Sequence, residues 1–397
     1  MGGEIAPKRC ATATRPVAAV VIGTRPEAIK LAPVVSALRG QGAFEPVVIS
    51  TGQHRQMLDQ ALAVFDLKPD VELEVMSPGQ TLHDITARTL ERMRAALSEL
   101  APARVIVQGD TTTAFAAALA AFYAKLPVAH VEAGLRSGER YSPFPEEINR
   151  RMVDQLSDLL FAPTRQAADL LAREGFPHAA IHVTGNTVVD ALLATRAVVR
   201  RRGLEIPGLP PGWLDGVRMV LVTAHRRESF GPGIEGVCRA MLRIVRAVPD
   251  ARVVYPVHLN PSVDVPVRRI LGAEPRILLL PPVPYLEFVA LMDRAHLVLT
   301  DSGGVQEEAP TFGKPVLVMR DVTERPEGIA AGVARLVGTS EDRIAEEAIR
   351  LLLEPGHYAE MAVSRNPYGD GHAAERIARI LAAEHAVPGA RVEVQVA

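Results

Sequence analysis

The chain has 397 residues, more than a single hydrophobic core usually organises, so we expect two domains. Hydrophobic residues make up 48% of it and charged residues 23%, which excludes a largely disordered protein, and the net charge of -2 argues against a nucleic-acid-binding one. The two cysteines, Cys10 and Cys238, lack the spacing of a disulfide framework or a zinc site and fit a reducing compartment.

Two apolar stretches could be taken for membrane or export signals. The longest apolar stretch, 114–124, is too short to span a bilayer and is closed by Lys125. The run 17–23 could imitate a signal-peptide core, but Thr-Arg-Pro-Glu follows where a small-residue cleavage site would be needed. We therefore expect a soluble, cytoplasmic protein without a membrane partner.

Short apolar strands alternate with amphipathic helical patterns through the first half of the chain. The predicted strands are 17–23, 46–51, 71–75, 104–108, 128–132, 159–163 and 181–184, and the clearest helices are 27–38, 81–100 and 113–124. Continuous apolar strands that alternate with helices indicate a parallel sheet covered on both faces.

The alternation breaks at the charged segment 200–203 and the turn-rich segment 207–212, and then restarts. The predicted strands of the second half are 219–223, 252–257, 277–280, 297–300 and 315–319, and a last helical pattern covers 373–385. The sequence therefore predicts two doubly wound α/β domains in series, at 16–186 and 187–372.

Basic residues follow the first predicted strand, at the edge where open parallel sheets bind ligands. Gly23 permits a tight turn and Pro26 suits the first turn of a helix. Arg25 and Lys30, together with the helix amino end, suggest a diphosphate site. A surface ion cluster at an ordinary helix start is the alternative, and the segment alone does not decide between them.

Carboxylates follow the next strands. Asp110 ends one strand and Glu132 ends the next, so adjacent parallel strands would bring both to the same rim. Asp110 alone would be explained as a helix cap, and Glu146 as an acidic residue favoured at a helix start. Two carboxylates in one dry cleft have separated pKa values, which suits one base and one acid.

The second half carries a histidine and a glycine turn at strand ends. His225 precedes Arg226 and Arg227, a pattern that favours phosphate binding or proton transfer over a purely structural histidine. The predicted strand 297–300 is followed by a turn whose main-chain amides could approach phosphate. An acidic residue in reach of a ribose diol comes next. The residues of this turn are Ser302, Gly303, Gly304 and Glu308. Arg325, in the loop after the next strand, suits an anion or is part of a solvated charge run.

Six ordered motifs resemble those of the non-hydrolysing UDP-N-acetylglucosamine 2-epimerases, over roughly 17–385. They are Gly-Thr-Arg-Pro-Glu from Gly23, His-Val-Glu-Ala-Gly-Leu-Arg from His130, Phe-Pro-Glu-Glu-Ile-Asn-Arg from Phe144, His-Arg-Arg-Glu from His225, Asp-Ser-Gly-Gly-Val-Gln-Glu-Glu from Asp301 and Thr-Glu-Arg-Pro-Glu from Thr323. The resemblance implies the GT-B architecture: two Rossmann-like domains facing a central cleft, with the helix 373–385 returning to the first domain. It also implies a homodimer.

The resemblance implies a role for each matching residue. Catalytic roles fall to Asp110, Glu132, Glu146 and His225. Binding of the UDP-sugar falls to Arg25, Lys30, Asp110, Glu132, His225, Arg226, Phe288, Ser302, Gly303, Gly304, Glu308 and Arg325. Gln53 and His54 match a second, activating substrate site. Two departures are visible: Val283 stands where a uracil-contacting glutamine is frequent, and Phe144 replaces a frequent tryptophan.

The resemblance also implies the reaction. UDP leaves C1 of the sugar, a carboxylate removes the C2 proton to give 2-acetamidoglucal, and re-addition with C2 inverted yields UDP-N-acetylmannosamine. Neither a metal nor a cofactor is expected. Three rivals remain: a hydrolysing epimerase that releases N-acetylmannosamine, a GT-B glycosyltransferase and a non-enzymatic nucleotide-sugar sensor.

Overall fold

A computed structural model describes residues 15–52, 55–77, 79–363 and 366–386. These residues form two compact units. The first contains the described residues up to Ala191 together with those from Gly369 onwards, and the second is Leu192–Tyr368. Within the described ranges, no helix has both the length and the apolar character needed to cross a membrane.

The first unit is built on one sheet of seven parallel strands in the order β3-β2-β1-β4-β5-β6-β7. The strands are β1 Val17–Ile22, β2 Glu45–Ser50, β3 Val71–Glu72, β4 Arg104–Gln108, β5 Val128–Val131, β6 Leu159–Ala162 and β7 Ile181–Val183. β3 is shorter than the predicted strand 71–75 because Glu74 has a φ of 48°, a left-handed conformation that cannot continue a strand.

Helices cover this sheet. They are α1 Arg25–Gln41, α2 Arg55–Val64, α3 Leu82–Leu100, α4 Thr112–Tyr123, α5 Glu146–Leu156 and α6 Arg165–Arg173, and α7 Thr187–Arg202 contains the boundary between the units. α4 packs against both α3 and α5, and its buried positions are almost all alanine. These small side chains allow the neighbouring helices to approach closely.

The second unit has a sheet of six parallel strands in the order β10-β9-β8-β11-β12-β13. Its strands are β8 Arg218–Thr223, β9 Ala251–Pro256, β10 Ile277–Leu280, β11 Leu297–Thr300, β12 Val316–Val318 and β13 Ala334–Leu336. Its helices are α8 Pro232–Ala247, α9 Pro261–Leu271, α10 Tyr285–Arg294, α11 Gly303–Glu308, α12 Pro326–Ala330, α13 Glu341–Leu353 and α14 Pro355–Met361. The predicted α/β class with parallel sheets is confirmed.

The last helix, α15 Ala373–Ala386, belongs to the first unit and packs against α1. The Asp190 carboxylate accepts hydrogen bonds from the backbone amides of Ala373 and Ala374, at 3.3 and 2.8 Å. It thereby satisfies two amides that a helix start leaves without a partner. The Asp190 side chain of α7 thus fixes the start of α15.

Strand order reverses at one place in each sheet, between β1 and β4 in the first and between β8 and β11 in the second. In open α/β sheets the ligand crevice lies beyond the carboxyl ends of the strands at such a point. The motifs that begin at Gly23, His225 and Asp301, and the turn that carries Asp110, directly follow these four strands. The topology therefore explains why the candidate residues cluster at strand ends.

Candidate active site

The turn after β1 is fixed by a buried carboxylate. Glu27 Oε2 accepts hydrogen bonds from the amides of Gly23 and Thr24, both at 2.6 Å, while Thr24 Oγ1 accepts one from the Glu27 amide at 3.5 Å. Thr111, after β4, donates to Glu27 Oε1 at 2.6 Å. Burial raises the pKa of the Glu27 carboxyl above its ordinary value, and these hydrogen bonds oppose the rise. The turn that carries Arg25 is therefore tied to the turn after β4.

Gly23 allows this close approach. A Cβ at this position would lie 2.4 Å from Thr113 Oγ1 and 2.7 Å from Thr51 Oγ1. Any larger residue would push the three strand-end turns apart. Arg25, half-buried, is the first residue of α1 and lies within the capped turn, between Thr24 and Glu27.

Half-buried Lys30 and buried Glu132 form an ion pair in the first unit. Lys30 Nζ lies 2.7 Å from Glu132 Oε1 and 2.6 Å from Oε2, and Asn186 Nδ2 donates to Oε1 at 3.4 Å. Gln108 Nε2 donates to the other carboxylate oxygen. Glu132 has a φ of 69°, which a non-glycine residue holds only when its surroundings impose it. This carboxylate is thus oriented by one cation and two amide groups.

Asp110 is held by helix α5. Arg150 Nη2 donates to Asp110 Oδ2 at 2.5 Å, and Asn149 Nδ2 donates to the Asp110 carbonyl oxygen at 3.0 Å. Glu146 is the first residue of the same helix, and its buried Oε2 has no hydrogen-bond partner among the described residues. An unpaired buried oxygen is costly, and a catalytic role is one of the reasons for which proteins keep one. α5 therefore links two of the three predicted carboxylates.

The second unit repeats the arrangement with another buried carboxylate. Asp301 Oδ2 accepts hydrogen bonds from the amides of His225 and Arg226, at 2.6 and 2.7 Å. His225 Nδ1 lies 3.4 Å from Asp301 Oδ1, and its ring stacks on that of His258 with centroids 5.6 Å apart. Burial lowers the pKa of His225 below its ordinary value, and the neighbouring Asp301 carboxylate opposes this shift.

The glycine turn after β11 opens α11. The Ser302 amide donates to Thr300 Oγ1 at 2.9 Å, and Gly303 and Gly304 form the first turn of the helix. Arg325 Nε donates to Glu307, and Glu308 is buried one turn into α11. The predicted residues Ser302, Gly303, Gly304, Glu308 and Arg325 therefore belong to one corner of the second unit. Phe288, half-buried, lies in α10.

Several of these partners do not stand out in the sequence. Glu27 could have been found, since Thr24 and Glu27 have the spacing of a capping box. Asn149, Arg150 and Asp301 lie inside the recognised motifs, but nothing local shows which groups they bind. Gln53 and His54 lie outside the described residues, so the predicted activating site stays a prediction.

The two parallel sheets define an α/β protein of the GT-B-like class. Its fold is shared with a glycosyltransferase of kitacinnamycin, with a TM-score of 0.64 at 14% identity over 93% of this chain and 98% of that one. A family model described as UDP-N-acetylglucosamine 2-epimerase matches residues 36–382. The chain belongs to the UDP-N-acetylglucosamine 2-epimerase family and is an enzyme of that family.

Named relatives span almost the whole chain. The UDP-N-acetylglucosamine 2-epimerase of Escherichia coli K12 is 52% identical over 364 residues, 91% of this chain and 97% of that protein. That of Bacillus subtilis is 49% identical over 357 residues, 90% and 92% of the two chains. The crystal structure of UDP-GlcNAc 2-epimerase from Neisseria meningitidis bound to UDP-GlcNAc has a TM-score of 0.83 at 44% identity, covering 92% and 99%.

Proposed function

We propose that the protein interconverts UDP-N-acetylglucosamine and UDP-N-acetylmannosamine without net hydrolysis. The observation that carries the proposal is the set of three carboxylates, Asp110, Glu132 and Glu146, at the carboxyl edge of the first sheet. Helix α5 connects two of them, and Lys30 pairs with the third. The relative from Neisseria meningitidis, whose crystal structure holds UDP-GlcNAc, supports the choice of substrate.

The chemistry of the substrate explains why carboxylates suffice. No carbonyl acidifies the C2 proton, but departure of UDP develops positive charge at C1 and makes that proton removable. The C1–oxygen bond breaks with its electron pair passing to UDP, and the C2 proton passes to a carboxylate. A second, protonated carboxyl group then donates its proton to C2 of the 2-acetamidoglucal on the opposite face, while UDP re-forms the bond to C1. Exchange of protons with water returns both carboxyl groups to their starting states, so atoms and charge balance over the cycle.

We assign the proton transfers to Asp110 and Glu132, with Glu146 assisting. Asp110 keeps an accessible side chain, 28% exposed, although Arg150 holds one of its oxygens. Glu132 contacts the Lys30 ammonium, which stabilises its ionised form. The carboxylate would exchange this contact for the proton when it acts as a base. A positioned acid or base of this kind typically contributes about 10²–10⁴-fold to a rate.

We assign binding of the UDP moiety mainly to basic side chains and main-chain amides, with Phe288 in the uridine pocket and Glu308 at the ribose diol. The other residues are Arg25, Lys30, His225, Arg226, Ser302, Gly303, Gly304 and Arg325. Fixed donors aimed at the departing diphosphate stabilise the charge that develops on it, and removing one such donor typically costs about 10²–10³-fold in rate. A homodimer is also part of the proposal, on the family resemblance.

The test is incubation with UDP-N-acetylglucosamine in heavy water, with the product identified by mass and deuterium at C2 followed by NMR. The expected product is UDP-N-acetylmannosamine with deuterium at C2. Asp110→Asn and Glu132→Gln should remove nearly all turnover and leave UDP binding by calorimetry largely intact. Glu91→Gln, on the exposed face of α3, is the matched control.

Each rival predicts a different outcome. Free N-acetylmannosamine and UDP would indicate a hydrolysing enzyme, and turnover only with an added acceptor would indicate a glycosyltransferase. Tight binding without deuterium at C2 would indicate a sensor. Near-normal turnover in Asp110→Asn would refute the assignment of that residue.

A further inference from the structure

A buried histidine bridges three elements of the first unit. His130 lies in β5 and is 0% exposed. Its Nδ1 lies 2.7 Å from Asp154 Oδ1 on α5, and its Nε2 lies 2.8 Å from the carbonyl oxygen of Gly109 after β4. Both ring nitrogens therefore have an oxygen partner at hydrogen-bond distance. The proposed proton transfers do not use this residue.

The identity of the partners fixes where the ring carries hydrogen. A backbone carbonyl only accepts, so Nε2 of His130 carries a hydrogen and donates it to the Gly109 carbonyl. Nδ1 faces Asp154 Oδ1, and the other oxygen of that carboxyl group, Oδ2, lies 2.8 Å from Arg136 Nη2. The ring is therefore held on both sides in one orientation.

A row of polar groups extends from the ring. His130 contacts Asp154, Asp154 lies against Arg136, and Arg136 donates two hydrogen bonds to Glu174, at 2.8 and 2.6 Å. Arg136 and Asp154 form a buried ion pair, whereas Glu174 at the end of the row is exposed. Buried charges are tolerated when they are paired in this way.

The row ends at the turn of the proposed catalytic carboxylate. Gly109 has a φ of 71° and directly precedes Asp110. α5 contacts Asp110 directly at two places, through Asn149 and Arg150. Asp154 lies one turn beyond Arg150 on the same face of α5. The carbonyl before Asp110, the carbonyl of Asp110 and its carboxylate are thus each held by a separate hydrogen bond.

We propose that His130 and Asp154 are positioning residues for the reaction: the ring, held by Asp154, donates from Nε2 to the Gly109 carbonyl and thereby orients the Asp110 carboxylate towards C2 of the sugar. This inference rests on the proposed function of Asp110. Small displacements of a reacting group are costly, since a misplacement of about 1 Å can lower a rate about 100-fold.

His130→Gln and Asp154→Asn test the proposal. Gln can still donate to the Gly109 carbonyl but cannot bridge it to Asp154 with the geometry of the ring. We expect kcat for C2 deuterium incorporation to fall about 10- to 100-fold in each variant while KM for UDP-N-acetylglucosamine changes less than about 3-fold. His182→Gln is the matched control, because His182 lies half-buried on β7 of the same sheet. It should keep the wild-type kcat.

A purely structural role predicts a different pattern. It would lower the unfolding midpoint in urea and the folded fraction, with kcat per folded molecule unchanged, and that result would overturn the proposal. A ¹⁵N spectrum of the wild-type histidine rings provides a second readout that does not depend on turnover or on the variants' folding. A hydrogen on Nε2 of His130 is expected, and an unprotonated Nε2 would overturn the proposal.

Failure of the inference and failure of the proposed function are distinguishable. If the wild type incorporates deuterium at C2, Asp110→Asn does not, and His130→Gln keeps full kcat, the positioning role is wrong and the proposed function stands. If Asp110→Asn keeps turnover, the proposed function of Asp110 is wrong, and the positioning role is overturned with it.

Discussion

The carboxyl group of Asp190 provides a quantitative test of how the last helix is held. Asp190 is 8% exposed and accepts hydrogen bonds from the amides of Ala373 and Ala374. Burial raises its pKa from 3.8 to about 6, against the opposing effect of these two hydrogen bonds, and the negative charge of Asp370 adds to the rise. The folded protein therefore holds this proton more tightly than the unfolded chain does.

The sign and size of the effect follow from linkage. Because the folded-state pKa lies above the unfolded one, the stabilisation is complete below the unfolded value and is lost as pH rises through the folded value. The interval from 3.8 to about 6 corresponds, at about 1.4 kcal/mol per pH unit, to a loss of about 3 kcal/mol. The free energy of unfolding should therefore lose this contribution between pH 4 and pH 7.

Urea unfolding of the wild type and Asp190→Asn at several pH values measures the contribution. The two amides bond to different oxygens of Asp190, so the single side-chain oxygen of Asn replaces only one of these acceptors, at a cost that is the same at every pH. Asn does not ionise, so its contribution does not change with pH. Carboxyls with lowered pKa values, such as Asp370 at about 2 beside Arg376, change in the opposite sense but are common to both proteins. The difference in stability between the two proteins should shift by about 3 kcal/mol over this range in favour of the variant. Parallel pH profiles would refute the reasoning.

Three further predictions follow from buried contacts. Lys30→Met should cost about 3–5 kcal/mol in urea unfolding, because it leaves the Glu132 carboxylate buried without its cation, and adding Glu132→Gln should recover most of the loss; simple additivity would contradict this. Gly134→Ala should lower the melting temperature far more than Gly138→Ala, since a Cβ at the first would lie 2.5 Å from a backbone carbonyl oxygen and at the second would meet nothing within 4 Å; equal shifts would contradict this. Cys238 is buried and its pKa is raised to about 12, so its peptide should stay unmodified by a thiol reagent until urea is added; modification in the native protein would show that the site opens.

The sheets were largely predictable because their strands are continuous apolar runs between helical patterns. β1 and β11 are buried along almost their whole length, which no amphipathic helix would require. β13 is not predicted, because Ala334–Leu336 has three residues, two of them half-buried, and too short a pattern to separate from a loop. The predicted ends of strands are less accurate: Glu132 is predicted as the last residue of a strand but adopts a left-handed backbone conformation.

The partners of the site residues were not predictable, although most of the residues themselves were. His130 and Asp154 are 24 residues apart, and their contact depends on how α5 packs against β5. Arg150 pairs with Asp110 across 40 residues for the same reason. A motif identifies such residues by type and order, whereas the hydrogen bonds between them are set by the packing of separate elements.

In each unit a buried carboxylate accepts two consecutive main-chain amides of a turn at a strand end, and this limits how the turn can bind an anion. Glu27 accepts the two consecutive amides of the turn after β1, and Asp301 accepts the two consecutive amides of the turn after β8. A carboxylate thus already occupies the main-chain donors that a phosphate-binding loop would offer at each strand end. A diphosphate near these turns would also meet a buried negative group. Any affinity there must therefore come from side chains such as Arg25 and Arg226, which distinguishes these turns from a glycine-rich phosphate loop.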